Sequence, residues 1–448
     1  MELKYRRVII VFFTLIFLLV GAYLLLVAAG WVFNFKDLKI IKTGGLFLKF
    51  EPSDATLTIN GEAYNSKSGL LQSGVLINGL LPADYEIKLI KHGFTSWQKK
   101  LKTESGKVTS VTKIRLWPLH STSSTLEKNL EDFWLTNAGV VTKNKSSGLV
   151  FKNNTLRGNK VVLSGPQSDF IVTSVQNNLF LTDLQNPESA INLNNLFQSL
   201  KSRELKLPGL APIKEVFFHP FTPSKLLLLT SNSLYSLGTK KMELERLITA
   251  TSVNAFALSG NEAFILDGKN NVHIFNLILK NDDLVVNEFP TSTITLKTSA
   301  NGKLIFFLDK NKQLFAFNRL TKKLEKLSEY VDDFAPEPKN DILALINPKN
   351  ISLIYLLGYN DDFNLSSGAT TTLPFKNLIS LHDFNWLSDN PDYFLVGNGN
   401  DLILSETDYR SNLNYFTLAS DVKKYAVGDN FLYILKTNGE LVKSAILR

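Results

Sequence analysis

The sequence predicts a mostly all-β protein: one N-terminal transmembrane helix, then a small β-sandwich, then a seven- or eight-bladed β-propeller. Three observations predict it. A charge-free apolar run extends from Val8 to Phe33. Between residues 44 and 117, short alternating segments recur about every 10 residues, separated by Gly, Pro, Asn and Ser. Beyond residue 130 a longer unit of apolar strand, turn, greasy strand, turn and alternating strand repeats about every 40 residues, the period of a propeller blade. A chain of 448 residues, 44% of them hydrophobic, is long enough to give each part its own core.

The apolar run is the first element. About 20 apolar residues cross the hydrocarbon core as a helix, and this run is longer than the 7–15 residues of a signal-peptide core. We therefore read residues 1–35 as a tail and uncleaved anchor rather than a segment cleaved near Ala28-Ala29. Tyr5, Arg6 and Arg7 mark one end, and Trp31 and Phe33 fall where an interfacial aromatic belt is expected. Lys4, Arg6 and Arg7 are balanced by Lys36, Lys39 and Lys42 on the other side. Orientation is accordingly argued from length: a long C-terminal part is translocated whatever its charge, which places the N-terminus inside and the rest extracytoplasmic.

The net charge of +8 is unevenly spread. Residues 36–115 hold 13 Lys or Arg against 7 acids, and 116–448 hold 33 of each sign. The excess lies beside the anchor, where anionic lipid or an acidic wall polymer would be attracted. The neutral C-terminal part carries no nucleic-acid motif, so no nucleic-acid partner is expected. The absence of cysteine excludes disulfides, thiolate metal sites, a cysteine nucleophile and a lipidated cysteine.

Residues 36–117 form the second element. In ATLTING, Leu57 and Ile59 alternate with Thr56 and Thr58, and Asn60-Gly61 supplies the positive φ angles of a two-residue hairpin. Val75/Ile77, Tyr85/Ile87/Leu89 and Trp97/Lys99/Leu101 continue the alternation, and VTSVTKIRL closes it. His92-Gly93, Pro82-Ala83-Asp84 and Ser105-Gly106-Lys107 read as turns. GGLFLKFEPSDATLTINGE and LPADYEIKLIKHGFTSWQKKLKT resemble the PEGA domain family, with Pro52, Ala55, Leu81-Pro82 and Tyr85 at matching positions. Where the family usually has Leu-Pro-x-Gly-x-Tyr, this chain has Ala83-Asp84 and no glycine. The resemblance, over residues 44–117, implies an envelope or surface protein with a stalk or carbohydrate-contacting module beside a membrane helix, and no catalytic residues.

PLHSTSSTLEKN, residues 118–129, is Ser/Thr-rich and reads as a linker. The third element, residues 130–448, contains eight units starting near 131, 168, 214, 253, 295, 331, 382 and 423. Eight units suggest eight blades, or seven if the first and last complete one blade. The greasy segments Leu226–Leu229, Leu304–Leu308 and Leu343–Ile346 would be buried on both faces between neighbouring blades, and closing the ring would remove exposed edges. SANGKLIFFLDKNKQLFAFN resembles the TolB-type or WD40-like propeller unit, although the Trp-Asp and Gly-His of true WD40 repeats are missing. A solenoid or a pair of sandwiches is the structural alternative.

Few residues are spaced for chemistry. His92, His120, His219, His273 and His382 show no metal-ligand spacing. The pairs Asp282-Asp283, Asp332-Asp333 and Asp361-Asp362 put adjacent carboxylates on opposite faces of a strand, unlike the facing pair of a glycosidase. Asp267-Gly268-Lys269-Asn270 and Gly397–Asp401 read as hairpin turns. Ser110-Val111-Thr112-Lys113 fits Ser-x-x-Lys but lies in a strand. No phosphate loop, dinucleotide fingerprint or nucleophile elbow occurs, so no cofactor, metal or catalytic residue is assigned. Trp134 and Trp386, each on the first strand of a unit, are core packing by default and stacking platforms for sugar as the sharper reading. The expectation is a single-pass, membrane-anchored envelope protein whose propeller is a non-enzymatic binding or scaffold module for a cell-surface polysaccharide or an envelope protein. The alternative is a propeller hydrolase or lyase acting on envelope polysaccharide.

Overall fold

The computed structural model describes residues 3–34, 39–64, 74–120, 122–207, 212–249, 252–286, 293–339, 342–356, 368–376, 378–387 and 391–445. It divides into two units.

The first unit holds residues 1–120 together with Glu406–Asn414. Helix α1 runs Leu3–Ala28, and its 20-residue stretch Ile9–Ala28 has a mean hydropathy of 2.9 with no part buried. Gly30, at φ +82°, ends it in the left-handed conformation that a glycine adopts without strain. The apolar run continues past this point but not as helix: Trp31–Asn34 is a strand paired antiparallel with Lys39–Lys42. Trp31 and Phe33 are thus strand residues, because a glycine break followed by Trp-Val-Phe favours extended backbone.

Next come a three-stranded sheet built on Gly44–Glu51, with Val75–Leu80 and Val108–Arg115 on its two sides, and a four-stranded sheet of Glu62–Ala63, Thr56–Ile59, Asp84–Ile90 and Trp97–Lys102. Alternate residues of both sheets, among them Leu46, Leu48, Ile77, Leu57, Ile87 and Trp97, share one buried core, as the sandwich reading requires. Asn60 and Gly61 sit at φ 50° and 84° between the pairs Thr58↔Ala63 and Ile59↔Glu62, the two-residue turn read from the sequence. Neither Ala83 nor Asp84 has a positive φ, so a glycine is not needed there. The Thr103 hydroxyl and the Tyr85 phenol both donate to the Leu81 carbonyl and hold that corner.

In the second unit the described residues form eight four-stranded sheets, each an antiparallel meander. Blades 1 to 7 span residues 130–155, 160–192, 215–249, 253–286, 293–328, 333–372 and 381–419, the last interrupted by the first unit's Glu406–Asn414. Blade 8 comprises Val422–Gly428, Phe431–Lys436 and Leu441–Ser444, and its fourth strand is Ser123–Glu127, paired through Ser123↔Ser444 and Ser124↔Lys443. Residues 123–127, read from composition as linker, are therefore a strand. Thr and Ser suit an exposed outer strand, and the Thr125 hydroxyl donates to Glu440. This settles eight blades rather than seven.

Consecutive blades pack through the second strands. In blade 3, Leu226 and Leu228 join a core with Val172 and Leu181 of blade 2, while Leu227 and Leu229 join one with Ala263 and Ile265 of blade 4. Blade 5 does the same, with Ile305 and Phe307 facing Phe264 and Phe306 and Leu308 facing Phe334. A period-2 strand between two sheets supplies one set of side chains to each. Leu130 and Phe133 of blade 1 pack with Tyr433 and Leu435 of blade 8, which closes the ring. First strands of neighbouring blades lie beside one another, marking them as the inner strands. Helix α2, Leu193–Leu205, joins blades 2 and 3. Its first turn is capped by the Asn192 side chain, which accepts from the Asn195 amide at 3.0 Å, and Leu193, Phe197 and Leu200 are its buried stripe.

Candidate functional site

The candidate site is a polar and aromatic run on the inner strands of blades 7, 8 and 1. Each inner strand carries a register shift near its start: between His382 and Asn385, Val422 and Lys424, and Leu130 and Asp132. A bulge re-aims the side chains beside it. In blade 8 it sets Lys424 against blade 1, where the ammonium donates to Asp132 Oδ1 at 2.6 Å and to the Phe133 carbonyl at 2.8 Å. The same ammonium lies 4.6 Å from the Trp134 ring centre. Tyr425, the next residue, turns to blade 7. Its phenol accepts from the Asn385 amide at 3.0 Å and donates to the Asp383 carbonyl. Burial pushes the phenol well above its ordinary range, so it stays protonated as a donor.

Trp386 completes the run. Its indole N–H donates to the Ala335 carbonyl of blade 6 at 3.0 Å, and its ring meets Phe384 edge-on at 5.1 Å and Phe394 at 5.9 Å. Both tryptophans are half-buried. Lys424, Tyr425 and Asn385 connect them across three blades, although one face of Trp134 is already occupied by the Lys424 ammonium. Sequence reading singled out the two tryptophans and missed the three linking residues. Lining up the unit starts, with Lys-Lys-Tyr at 423–425 under His-Asp-Phe-Asn-Trp at 382–386, is the signal that would have found them.

The other residues weighed from the sequence fall into turns and ladders. His382 is exposed, with Nε2 2.8 Å from the Gly399 carbonyl and Nδ1 3.0 Å from Asp383. His219 lies in a turn of blade 3, where burial and then Lys225 hold its pKa below the usual 6.5. His273 sits between Asp267 and Asp282, at 3.5 and 3.3 Å. Burial would raise the Asp267 carboxyl, but the backbone N–H groups of Asn271 and Lys269 outweigh it and hold the group below its usual range. Asp309 accepts from Asn311 and Gln313 in the same way in blade 5, so both are turn-forming aspartates. Asp332 and Asp333 pair with Lys312 and Lys297, and Asp361-Asp362 lies outside the described residues. Ser110 and Lys113 lie on the strand Val108–Arg115, where a register shift between Val111 and Ile114 turns both of those neighbours to the core and leaves Ser110 and Lys113 on the other side. Among the described residues no cluster of three or more His, Asp or Glu could hold a metal ion.

A second polar cluster lies in the first unit. Lys99 is fully buried, with its ammonium 2.6 Å from Glu406 Oε1 and 2.5 Å from the carbonyls of Asp408 and Asn412. Glu406 Oε2 accepts from the Trp97 indole at 2.9 Å, and Oε1 from the Asn414 backbone at 2.9 Å. Burial raises the Glu406 carboxyl against the pull of Lys99. Arg410 grips Asp408 and donates to the Ser110 carbonyl. With Lys99 and Glu406 enclosed at its centre and paired, the cluster is structural: it fixes residues 406–414 onto the strand Trp97–Lys102.

These features define a β-propeller chain with an N-terminal apolar helix. No family model matches the chain, and no curated protein sequence matches it. Among solved structures it is similar to Hsv2 of Kluyveromyces lactis, at 9% identity and a TM-score of 0.43 over 65% of this chain and 100% of that one. It is likewise similar to Kluyveromyces lactis Hsv2 with its complete loop 6CD, at 9% identity and a TM-score of 0.44 with the same coverage.

Proposed function

We propose that this is a single-pass, membrane-anchored envelope protein in which α1 is the anchor, a PEGA-like sandwich is the spacer, and the eight-bladed ring is a non-enzymatic binding or scaffold module. Its partner is a surface polysaccharide or an envelope protein, met on the extracytoplasmic side. The observation that carries the binding role is the inner-strand run Trp134, Lys424, Tyr425, Asn385 and Trp386. The half-buried Trp134 and Trp386 offer aromatic surface with the polar heads of Lys424 and Asn385 beside them, the combination that sugars require, while the buried Tyr425 ties the strands of blades 7 and 8 together. The unburied, charge-free stretch Ile9–Ala28 of α1 supports the anchor. The PEGA-like reading rests on the residues quoted above and on the two-sheet core they build.

The test is binding of the full-length chain, held in detergent micelles, to an array of envelope glycans. Wild type should retain a glycan class that Trp386→Ala loses at least tenfold, with the fold intact by circular dichroism. Loss of no glycan on substitution would remove the run as the site. Cleavage of a retained glycan would replace the scaffold by the hydrolase or lyase reading.

A further inference from the structure

One end of blades 3, 4 and 5 differs from the other in charge and in what it exposes. In a four-stranded meander the first and third turns lie at one end, and the second turn and the link to the next blade at the other. The turns at the first-and-third-turn end carry Lys240, Lys241, Lys280, Lys303, Arg319 and Lys322 against Glu243, six bases to one acid, while Glu245 and Glu262 on the adjoining strands pair with Lys280 and Arg319. At the opposite end the described residues carry Lys269, Lys310 and Lys312 against Glu329 and Asp332. The basic end also exposes four large apolar side chains, Phe221 at 56%, Ile278 at 64%, Leu279 at 73% and Leu320 at 74%, against Tyr330 at the opposite end.

The apolar tips are held rigidly. In blade 4 the Asn276 side chain accepts from the amides of Ile278 and Leu279, at 3.0 and 2.8 Å. In blade 5 Asn318 accepts from Leu320 and Thr321, at 2.9 and 3.2 Å. Each turn then places a lysine, Lys280 or Lys322, in the left-handed region at φ 55° or 57°. A fixed apolar tip with a cation beside it therefore recurs in neighbouring blades. Blade 2 ends the run: its third turn, residues 184–190, carries only Glu188.

We propose that this end of blades 3–5 docks on an anionic lipid bilayer, with Ile278, Leu279, Leu320 and Phe221 entering the headgroup region and the lysines meeting lipid phosphates. Isolated protruding tips ringed by cations suit shallow insertion into an interface, whereas a protein partner would favour a continuous, shape-matched patch. The proposal rests on the second unit alone and does not depend on what the inner strands bind.

The chain has no cysteine, so Leu279→Cys, Leu320→Cys and, at the opposite end, Lys269→Cys each accept one environment-sensitive fluorophore. Full-length protein is placed in nanodiscs of zwitterionic lipid, or of zwitterionic lipid with phosphatidylglycerol. The expected result is a blue shift and quenching by acyl-chain-brominated lipid at 279 and 320 in the anionic discs only, with no response at 269. Adding Lys241→Glu and Lys322→Glu should abolish both signals. Aqueous emission at 279 and 320 in anionic discs, or equal responses in both lipids or at all three positions, would overturn the proposal. So would a shift that grows with protein density without lipid quenching, which would assign the face to a second copy of the chain.

Discussion

Replacing Lys99 by methionine keeps the stem of the side chain and removes a charge with no exposed surface. Its ammonium holds Glu406 at 2.6 Å and two backbone carbonyls at 2.5 Å. Lys99→Met therefore leaves a buried carboxylate without its counter-charge, held only by the Trp97 and Asn414 donors, and two carbonyls without the ammonium, and breaking a buried pair in this way costs about 3–5 kcal/mol. The cost depends on pH. Burial already raises the Glu406 carboxyl, and losing Lys99 raises it further. A carboxyl whose folded-state pKa is raised supports the fold below its unfolded value and loses that contribution as pH climbs through the folded value. The deficit of Lys99→Met should thus be larger at pH 8 than at pH 5. Adding Glu406→Gln removes the orphan charge and should recover about 0.5–3 kcal/mol, the usual coupling of contacting residues. The assay is urea unfolding of the micelle-held chain followed by tryptophan emission, to which Trp97, bonded to Glu406, contributes. A deficit below about 1 kcal/mol, flat in pH and not relieved by the second substitution, would refute the account of this cluster.

Two further predictions concern the ring. Leu228→Ala, at a fully buried position between blades 2 and 3, should cost about 2–5 kcal/mol in thermal or urea unfolding, and a loss under about 1 kcal/mol would contradict the packing described. Ser124→Cys with Lys443→Cys joins direct register partners, whose Cα atoms in an antiparallel ladder lie about 4.5–5.5 Å apart, within the reach of a disulfide. Oxidation should give an intramolecular crosslink on a non-reducing gel and a higher melting temperature, and failure to crosslink would argue against the closing strand.

Much of this architecture is legible from periodicity. The alternation Leu57/Ile59 and the pair Asn60-Gly61 specify a strand and its turn locally, and both stand as read. The second strands are legible for a similar reason: Leu226–Leu229 has no polar face, so it must lie between two sheets. What escaped reading depends on partners distant in sequence. Ser123–Glu127 becomes a strand only because Leu441–Ser444 offers an edge more than 300 residues later, and its Ser/Thr composition carries no trace of that partner. Trp31–Asn34 was hidden by hydropathy, which does not register the glycine that stops the helix. Blade 2 was entered one strand late, since Lys160–Leu163 is half-exposed and weakly patterned. At the inner-strand site the large aromatics stand out in the sequence, while Tyr425 and Asn385 become informative only when blades are set side by side.

The division of each second strand between two neighbours constrains how such a ring can change. No blade owns a complete interior: half of what it buries is supplied by the next one. A chain interrupted between blades would expose one oily flank at each broken end, matched to the other, and two such fragments would tend to find each other. Growth or loss is tolerable only in whole units, because any partial unit leaves a flank without its complement.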